Sequence, residues 1–220
     1  MLLPAHHLVL PEGVVRTDPV TGWAALSAPS PTWHPRTPAV GHGRIGGELS
    51  TCCPECGWEL HRLLDLGTFP GADDRELPGE LVTCVAFNCT WDEQFFDHAD
   101  GAARPIERPA RPRADWQPRP EVLPVLPVSF HPAPARWQLQ DWMWSNGTQN
   151  LNRLGGAGSW IQDAIYPSCP RCRRSMPVLA QVDGLTPFDD ILGWESWTEG
   201  LMYAFWCREC RVSAVSTQQT

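Results

Sequence analysis

Four cysteines near the end of the chain constrain its fold more than any other feature. They form two Cys-x-x-Cys pairs, Cys169 with Cys172 and Cys207 with Cys210, separated by residues 173–206. Four thiolates at this spacing are typical of a tetrahedral zinc site, and zinc binding then supplies folding free energy. The sequence predicts one structural zinc ion here. Because all four coordination positions are filled by cysteine, no position remains for a catalytic water.

A redox-active Cys-x-x-Cys motif is the main alternative for Cys169 and Cys172. A thioredoxin-like motif needs its first cysteine at the start of a helix, which lowers the pKa of the thiol. Nearby arginines such as Arg171 could also lower that pKa, but Pro177 and the strand-like residues after it disfavour a helix. The structural interpretation is therefore favoured.

Composition limits the classes of fold and partner. The chain has 220 residues, among them 23 prolines and 18 glycines, which favour short strands and turns over long helices. Its net charge of −8 disfavours a general RNA- or DNA-binding protein, which needs positive charge to neutralise phosphates. No apolar run is long enough for a signal peptide or a membrane span. We expect a cytoplasmic protein without membrane contact, whose cysteines bind metal in preference to forming disulfides.

The same order of landmarks occurs twice along the chain, which predicts an internal repeat. Each copy has an Arg-x-Gly-Gly motif, a Cys-Pro-x-Cys motif, an apolar segment and an Ala-Phe-x-Cys motif. The Cys-Pro-x-Cys motif begins at Cys53 in the first copy and at Cys169 in the second. The expected fold is mainly β, with two pseudo-repeated, zinc-ribbon-like β units and few short helices. Strands are predicted over 58–66, 81–87, 176–182, 201–206 and 211–217.

The first copy offers five cysteines for a second zinc ion. Cys53 and Cys56 supply one pair, and the alignment of the repeats matches Cys89 with Cys207. Cys84 is favoured as the fourth ligand. Because two residues five positions apart on a regular strand face opposite sides of the sheet, Cys84 and Cys89 could bind one ion only across a bulge or a tight turn.

Other interpretations of the first copy stay open. Asp92 and His98 are the alternatives to Cys84 as fourth ligand, and Cys52 is expected to be a spare thiol. Thiolate is the better zinc ligand, which favours Cys84 over both. A copy that has lost its metal and keeps its cysteines as small buried hydrophobic residues is also consistent with the sequence.

The chain divides into four segments. Residues 1–43 are predicted to be extended, with edge strands at 8–16 and 23–26, and residues 44–103 form the first zinc-binding unit. Residues 104–136, rich in proline and arginine, are predicted to be an extended linker. Residues 137–220 form the second unit.

The second unit resembles a known family. Arg153-Leu154-Gly155-Gly156, the Cys169 motif and Tyr203-Ala204-Phe205-Trp206-Cys207 follow one another in the order found in the bacterial YwqG-like family and its eukaryotic relatives of the programmed-cell-death-protein-2 type. The resemblance covers residues 153–218. It implies a β fold of two similar halves with zinc knuckles. Eukaryotic members are chaperones for a ribosomal protein, and some bacterial members lie near toxin–immunity loci.

No sequence motif points to catalysis, so we expect a non-enzymatic protein. The chain has no GxSxG, P-loop or HExxH motif. The leading hypothesis is a chaperone-like or immunity-type module that binds an unidentified protein in a groove lined by Trp58, Trp160 and Trp206. The alternative is an RNA- or ribosome-associated zinc ribbon that uses the arginines between Arg104 and Arg136.

Overall fold

A computed structural model describes residues 3–9, 37–72, 76–86, 89, 92–107, 125–133, 152–183 and 200–219. The architecture is mainly β, as predicted, and Cys89 is the one described residue with helical backbone. Twelve strands are present within these ranges: β1 His6–Val9, β2 Gly41–Ile45, β3 Glu48–Cys52, β4 Glu59–Asp65, β5 Glu80–Thr83, β6 Gln94–Asp97, β7 Arg104–Pro105, β8 Leu126–Pro132, β9 Arg153–Leu154, β10 Val178–Asp183, β11 Gly200–Cys207 and β12 Val212–Gln219.

All twelve strands belong to one sheet. Its order is β3-β4-β2-β8-β1-β9-β10-β11-β12-β6-β7, and β5 pairs with the other side of β4. Every strand pair within the described residues is antiparallel. β5 also contacts β12, so the sheet curves until its distant parts approach each other.

The internal repeat is visible in the backbone hydrogen bonds. Strands β2, β4 and β5 of the first copy correspond to β9, β10 and β11 of the second. After β2, the Gly46 N–H donates to the Arg62 carbonyl (3.1 Å), and after β9 the Gly155 N–H donates to the Leu179 carbonyl (2.6 Å). Both glycine pairs have positive φ angles. A side chain at Gly155 would meet the Pro4 carbonyl at 2.4 Å, so this turn requires glycine.

The two copies share strands across the sheet. β6, which follows the cysteines of the first copy, pairs with β12 of the second copy from Gln94 with Val215 to Asp97 with Val212. β1 and β8 lie between β2 and β9 and join the two halves of the sheet. The copies are therefore repeats in sequence that form one continuous sheet.

Strand β11 is buried on both faces, which explains its uninterrupted apolar sequence. Leu201, Tyr203 and Phe205 pack into a smaller hydrophobic core with Met176. The alternate residues, which include Met202 and Trp206, pack into the larger core that extends to the first copy, in accordance with the two-residue period of a strand.

Several predicted segments overlap the described residues only in part. Of the proposed edge strands, residues 8–9 lie in β1, which pairs on both sides, whereas 10–16 and 23–26 lie outside the described residues. Of the proposed linker, Arg104–Pro105 forms β7 and Leu126–Pro132 forms β8. Residues 108–124 and 134–136 lie outside the described part. Among the described residues, no helix has the length and apolar character that crossing a membrane requires.

Candidate metal centres

Eight cysteines form two compact groups of four. Cys53, Cys56, Cys84 and Cys89 make up the first cluster, and Cys169, Cys172, Cys207 and Cys210 make up the second. Within each cluster the sulfur atoms all lie within 4.8 Å of one another, and none forms a disulfide. These are the eight cysteines that the sequence analysis selected.

The sulfur separations fit tetrahedral coordination of a metal ion. The Sγ–Sγ distances are 3.9 Å for Cys53–Cys89, 3.6 Å for Cys56–Cys84 and 3.7 Å for Cys172–Cys207. A tetrahedron with metal–sulfur bonds of about 2.3 Å has edges of about 3.8 Å. Each cluster could therefore hold one metal ion without a large movement of its side chains.

The first Cys-x-x-Cys turn is closed by two backbone hydrogen bonds. The Cys53 N–H donates to the Trp58 carbonyl at 2.7 Å, and the Gly57 N–H donates to the Cys53 carbonyl at 2.9 Å. Gly57, immediately after Cys56, has a φ of 76°. This left-handed residue ends the turn and directs both cysteine side chains to the same point.

The second Cys-x-x-Cys turn repeats this geometry. The Cys169 N–H donates to the Arg174 carbonyl at 2.8 Å, and the Arg173 N–H donates to the Cys169 carbonyl at 2.9 Å. Arg173 occupies the place of Gly57 and has a φ of 63°, which is strained for a residue with a Cβ atom. The matching bonds support a common origin for the two turns.

A tight turn brings Cys84 and Cys89 to the same site. β5 ends at Thr83, one residue before Cys84, so the alternation of a regular strand no longer separates the two side chains. The Cys89 N–H donates to the Ala86 carbonyl at 2.8 Å, and the Ala86 N–H donates to the Cys84 sulfur at 3.4 Å. This is one of the two arrangements under which the sequence allowed both cysteines to bind one ion.

The other residues considered for the first site lie outside the cluster. His98 is buried, its Nε2 lies 2.8 Å from Ser213 Oγ, and its ring packs edge-on against Trp206. Asp92 is half-buried and is not grouped with the cysteines. Cys52 is exposed at the end of β3 and is also outside the cluster.

The alignment of Cys89 with Cys207 is wrong. Cys207 ends β11 and contacts Cys172, the second cysteine of its turn. In the first cluster the same contact, to Cys56, is made by Cys84. Cys84 therefore takes the place of Cys207. The repeated Ala-Phe-x-Cys letters misled the alignment, because Ala204 lies within a strand whereas Ala86 follows one.

Gln94 holds the Cys84–Cys89 turn in place, and sequence reasoning missed it. Its Oε1 accepts the Cys84 N–H at 2.7 Å, and its Nε2 donates to the Cys84 and Cys89 carbonyls at 3.2 and 2.9 Å. The side chain is buried at the start of β6. A polar residue at a strand position that faces the core was the available signal, but nothing in the sequence named its partners.

Arginine side chains surround the second cluster. Arg171, between two of its cysteines, contacts the Asp97 carboxylate at 2.5 Å and donates to the Cys210 carbonyl at 3.1 Å. Arg174 pairs with Glu209 and Arg208 pairs with Glu76. Hydrogen bonds from Ala99 N–H and Arg171 outweigh the opposing effect of burial and lower the pKa of Asp97.

The thiols within each cluster differ in how readily they ionise. In the first cluster, hydrogen bonds from the neighbouring thiols lower the pKa of Cys53, and the corresponding bonds raise the pKa of Cys84. In the second, Arg174 lowers the pKa of Cys172 to about 6, whereas loss of water contact and the Cys172 thiol raise the pKa of Cys210 to about 12. A bound dication would offset the repulsion between neighbouring thiolates and so allow all four thiols to ionise.

A cleft of about 850 Å³ lies beside the second cluster. Its apolar wall includes Leu3, Leu77, Val178 and Trp206, and the Arg208–Glu76 ion pair lies at its rim. The Trp206 indole N–H donates to the Glu76 carbonyl at 3.0 Å, which fixes the ring at the cleft.

Of the three tryptophans predicted to line a groove between the halves, only Trp206 lines this cleft. Trp58 packs against the larger core. Trp160 stacks on Tyr203, with ring centroids 4.5 Å apart. Trp58 and Trp160 therefore contribute to packing and do not line the cleft.

Comparisons with known proteins identify a relative but no established family. The uncharacterized protein YpfL of Salmonella typhimurium (strain LT2) is 32% identical over 195 residues, which are 84% of this chain and 43% of the relative. The chain thus spans less than half the length of that curated relative. No protein-family model matches the chain. No solved structure matches it either.

Proposed function

We propose that this is a zinc-binding protein in which both cysteine clusters hold a structural Zn²⁺ ion. The observation that carries the proposal is the assembly of eight cysteines into two groups whose sulfur atoms fit a tetrahedron. Four-cysteine sites favour zinc or iron among the common metals, because thiolate is a soft ligand and the geometry is tetrahedral. Iron–sulfur ligation is the competing metal chemistry, and it is distinguished by its colour and inorganic sulfide.

The proposed role of the zinc is structural. Each cluster supplies four thiolates, so a bound zinc ion would have no open position for a water or a substrate. The ligands come from turns that join different strands: Cys53 and Cys56 precede β4, whereas Cys84 and Cys89 follow β5. A metal bond between such turns fixes the ends of the strands, and its binding free energy becomes folding free energy.

The proposed activity is the binding of another protein at the cleft beside the second cluster. The occupant we propose is an extended apolar segment of a partner protein that carries one positive and one negative charge at one end. This choice rests on the apolar wall at Trp206 and Leu77 and on the rim, where Arg208 and Glu76 offer one charge of each sign. The resemblance of residues 153–218 to a family whose eukaryotic members are chaperones for a ribosomal protein supports a non-enzymatic, protein-binding role.

Metal content tests the first part of the proposal. Elemental analysis of protein purified without added metal should give two zinc ions per chain, with no iron and no inorganic sulfide. Cys207→Ser and Cys84→Ser should each reduce the zinc content by one or more, whereas Cys52→Ser should leave it unchanged, because Cys52 is exposed and outside the clusters. Protein that folds and contains no zinc would overturn the proposal.

Photo-crosslinking tests the second part. A photoreactive amino acid at Ser175, which lines the cleft, should crosslink in cells to one protein. The same amino acid at exposed Ala102 should not. The purified partner should then bind with a Kd that Leu77→Arg weakens at least tenfold and Ala102→Arg leaves unchanged.

RNA binding is the alternative outcome of that experiment. Of the arginine-rich segment proposed to contact RNA, Arg104 is described and pairs with Asp100. Crosslinks from Ser175 to RNA, or a partner complex that nuclease destroys, would contradict the protein-binding proposal and favour the alternative.

A further inference from the structure

We infer that metal binding at the two clusters is positively coupled through β6, so that filling one site raises the affinity of the other. The inference rests on the proposed function, because it requires both clusters to bind zinc. β6 runs from Gln94 to Asp97; Gln94 is hydrogen-bonded to the backbone of two cysteines of the first cluster, and Asp97 pairs with Arg171, which lies between two cysteines of the second. A strand of four residues spans about 10 Å at roughly 3.4 Å per residue, so the clusters are connected by one short rigid element.

At its first residue, β6 is tied to the first cluster. The Gln94 carboxamide makes three hydrogen bonds to the backbone of Cys84 and Cys89, with distances of 2.7, 3.2 and 2.9 Å. These bonds connect the side chain of a strand residue to the turn that carries two metal ligands. The position of that turn is therefore transmitted to the start of β6.

At its last residue, β6 is tied to both turns of the second cluster. The Asp97 carboxylate pairs with Arg171, inside the Cys-x-x-Cys turn, and Arg171 also donates to the Cys210 carbonyl. The next residue, His98, donates its N–H to the Arg211 carbonyl at 2.9 Å. Arg211 follows Cys210 directly. Two polar contacts thus connect this end of β6 to the loops that carry the second set of ligands, and the bond from Arg171 to the Cys210 carbonyl joins those loops to each other.

The backbone of β6 is held to the second unit along its whole length. It pairs with β12 from Gln94 with Val215 to Asp97 with Val212, and β12 begins just after Cys210. A metal ion in the second cluster would fix the Cys207–Cys210 turn, and with it the start of β12 and the position of β6. The Gln94 carboxamide would then already be in place for the Cys84–Cys89 turn.

The physical basis of the coupling is shared conformational entropy. Without metal, each ligand turn must be ordered when its ion binds, and both turns use β6 as a support. The first ion orders β6, so the second ion binds to a chain that loses less entropy, and thermodynamic linkage makes the effect reciprocal. Couplings of this kind are typically about 5- to 150-fold in affinity, and we expect about tenfold here.

The variant that tests the inference is Asp97→Asn, with Asp100→Asn as its control. The asparagine oxygen can still accept the Ala99 N–H, as Asp97 Oδ1 does at 2.9 Å, but the ion pair to Arg171 is lost. Asp100 lies three residues away in an exposed ion pair with Arg104 and contacts neither cluster in the described part of the chain. Both variants keep all eight candidate ligands.

Native mass spectrometry at less than two zinc equivalents per chain supplies the readout. The product of the zinc-free and two-zinc populations, divided by the square of the one-zinc population, rises with the coupling between the sites. It should fall several-fold in Asp97→Asn and remain unchanged in Asp100→Asn. An equal ratio in the wild-type chain and Asp97→Asn would overturn the inference.

A second measurement uses the first site alone. Competition with a chromogenic chelator should show that Cys210→Ser, which disables the second site, weakens zinc binding at the first site about tenfold. The same substitution in the Asp97→Asn background should have less than a twofold effect on that site. Equal effects in both backgrounds would also overturn the coupling. A wild-type chain that binds no zinc would refute the proposed function, whereas two ions bound independently would refute only the coupling.

Discussion

Replacement of Gln94 by leucine should damage the first metal site although it leaves every cysteine in place. Leucine has nearly the volume of glutamine but cannot make the three hydrogen bonds to the backbone of Cys84 and Cys89. The Cys84 N–H and the two carbonyls would then be left without these partners beside a buried turn. We expect the turn to open, and the cysteines to lose their alignment for a metal ion.

The magnitude follows from the number of bonds lost. A buried hydrogen bond contributes about 1 kcal/mol net, and groups left unsatisfied raise the cost of its removal. Three such bonds predict a loss of about 3 kcal/mol in the free energy of unfolding, which corresponds to roughly 6–12 °C in Tm for a chain of this size. If that loss is expressed at the first site, its zinc affinity should fall on the order of 100-fold.

Gln218 provides a matched control elsewhere in the sheet. It is also buried, and its carboxamide makes three hydrogen bonds: it accepts the Ile161 and Gln162 N–H groups at 3.1 and 3.0 Å and donates to the Asp163 carbonyl at 2.7 Å. Gln218→Leu should therefore destabilise the fold by a similar amount. It holds a loop that carries no cysteine, so zinc affinity at the first site should be unaffected.

The assay compares the two variants by thermal unfolding and by zinc transfer to a chromogenic chelator. The Tm should fall by a similar amount in both variants, but only Gln94→Leu should release one zinc ion much faster than the wild-type protein. If Gln94→Leu and Gln218→Leu release zinc at rates within threefold of each other, Gln94 has no specific role at the metal site. The reasoning from its three hydrogen bonds would then be refuted.

Three further predictions concern the second cluster and its neighbours. Arg173→Gly should raise the free energy of unfolding by about 1 kcal/mol in denaturant titrations, because Arg173 has a φ of 63° and occupies the place of Gly57. Gly57→Arg should lower the free energy of unfolding. Equal stability of the two variants would contradict this assignment of backbone strain. Asp97 has a lowered pKa, so its ion pair should stabilise the fold fully above pH 5 and lose this contribution as the pH falls below about 4. The effect should stay below about 1 kcal/mol because the pair is partly exposed. The difference in free energy of unfolding between the wild-type chain and Asp97→Asn should shrink from pH 6 to pH 3. A constant difference would exclude a stabilising role of the ion pair. In Cys207→Ser, the backbone amides of β11 and β12 should lose their protection from hydrogen exchange, because these strands would no longer be stabilised by the metal. Retained protection would show that the metal is not needed for their stability.

The repeat and most of the candidate ligand set could be predicted from the sequence because both depend on local spacing. A Cys-x-x-Cys turn places two sulfur atoms within reach of one ion wherever it occurs, and the two turns beginning at Cys53 and Cys169 have the same hydrogen bonds. The strands that follow them were predicted to within a few residues, because apolar segments bounded by turns are also local signals. The choice of Cys84 needed one fact beyond local spacing, the end of β5 at Thr83.

The connections between the two units were decided by the tertiary structure. Asp97 reaches Arg171 because β6 leaves the first unit and pairs with β12 of the second, whereas the bonds from Gln94 to Cys84 and Cys89 lie within the first unit. Asp97 and Arg171, which are 74 residues apart, leave no periodic pattern in the sequence, since their contact depends on how the sheet curves. The sequence by itself selected the candidate cysteines, except that the place of Cys84 depended on where β5 ends. The single curved sheet determined that the two clusters lie at opposite ends of one strand, because pairing between distant strands is fixed by the packing of the whole chain.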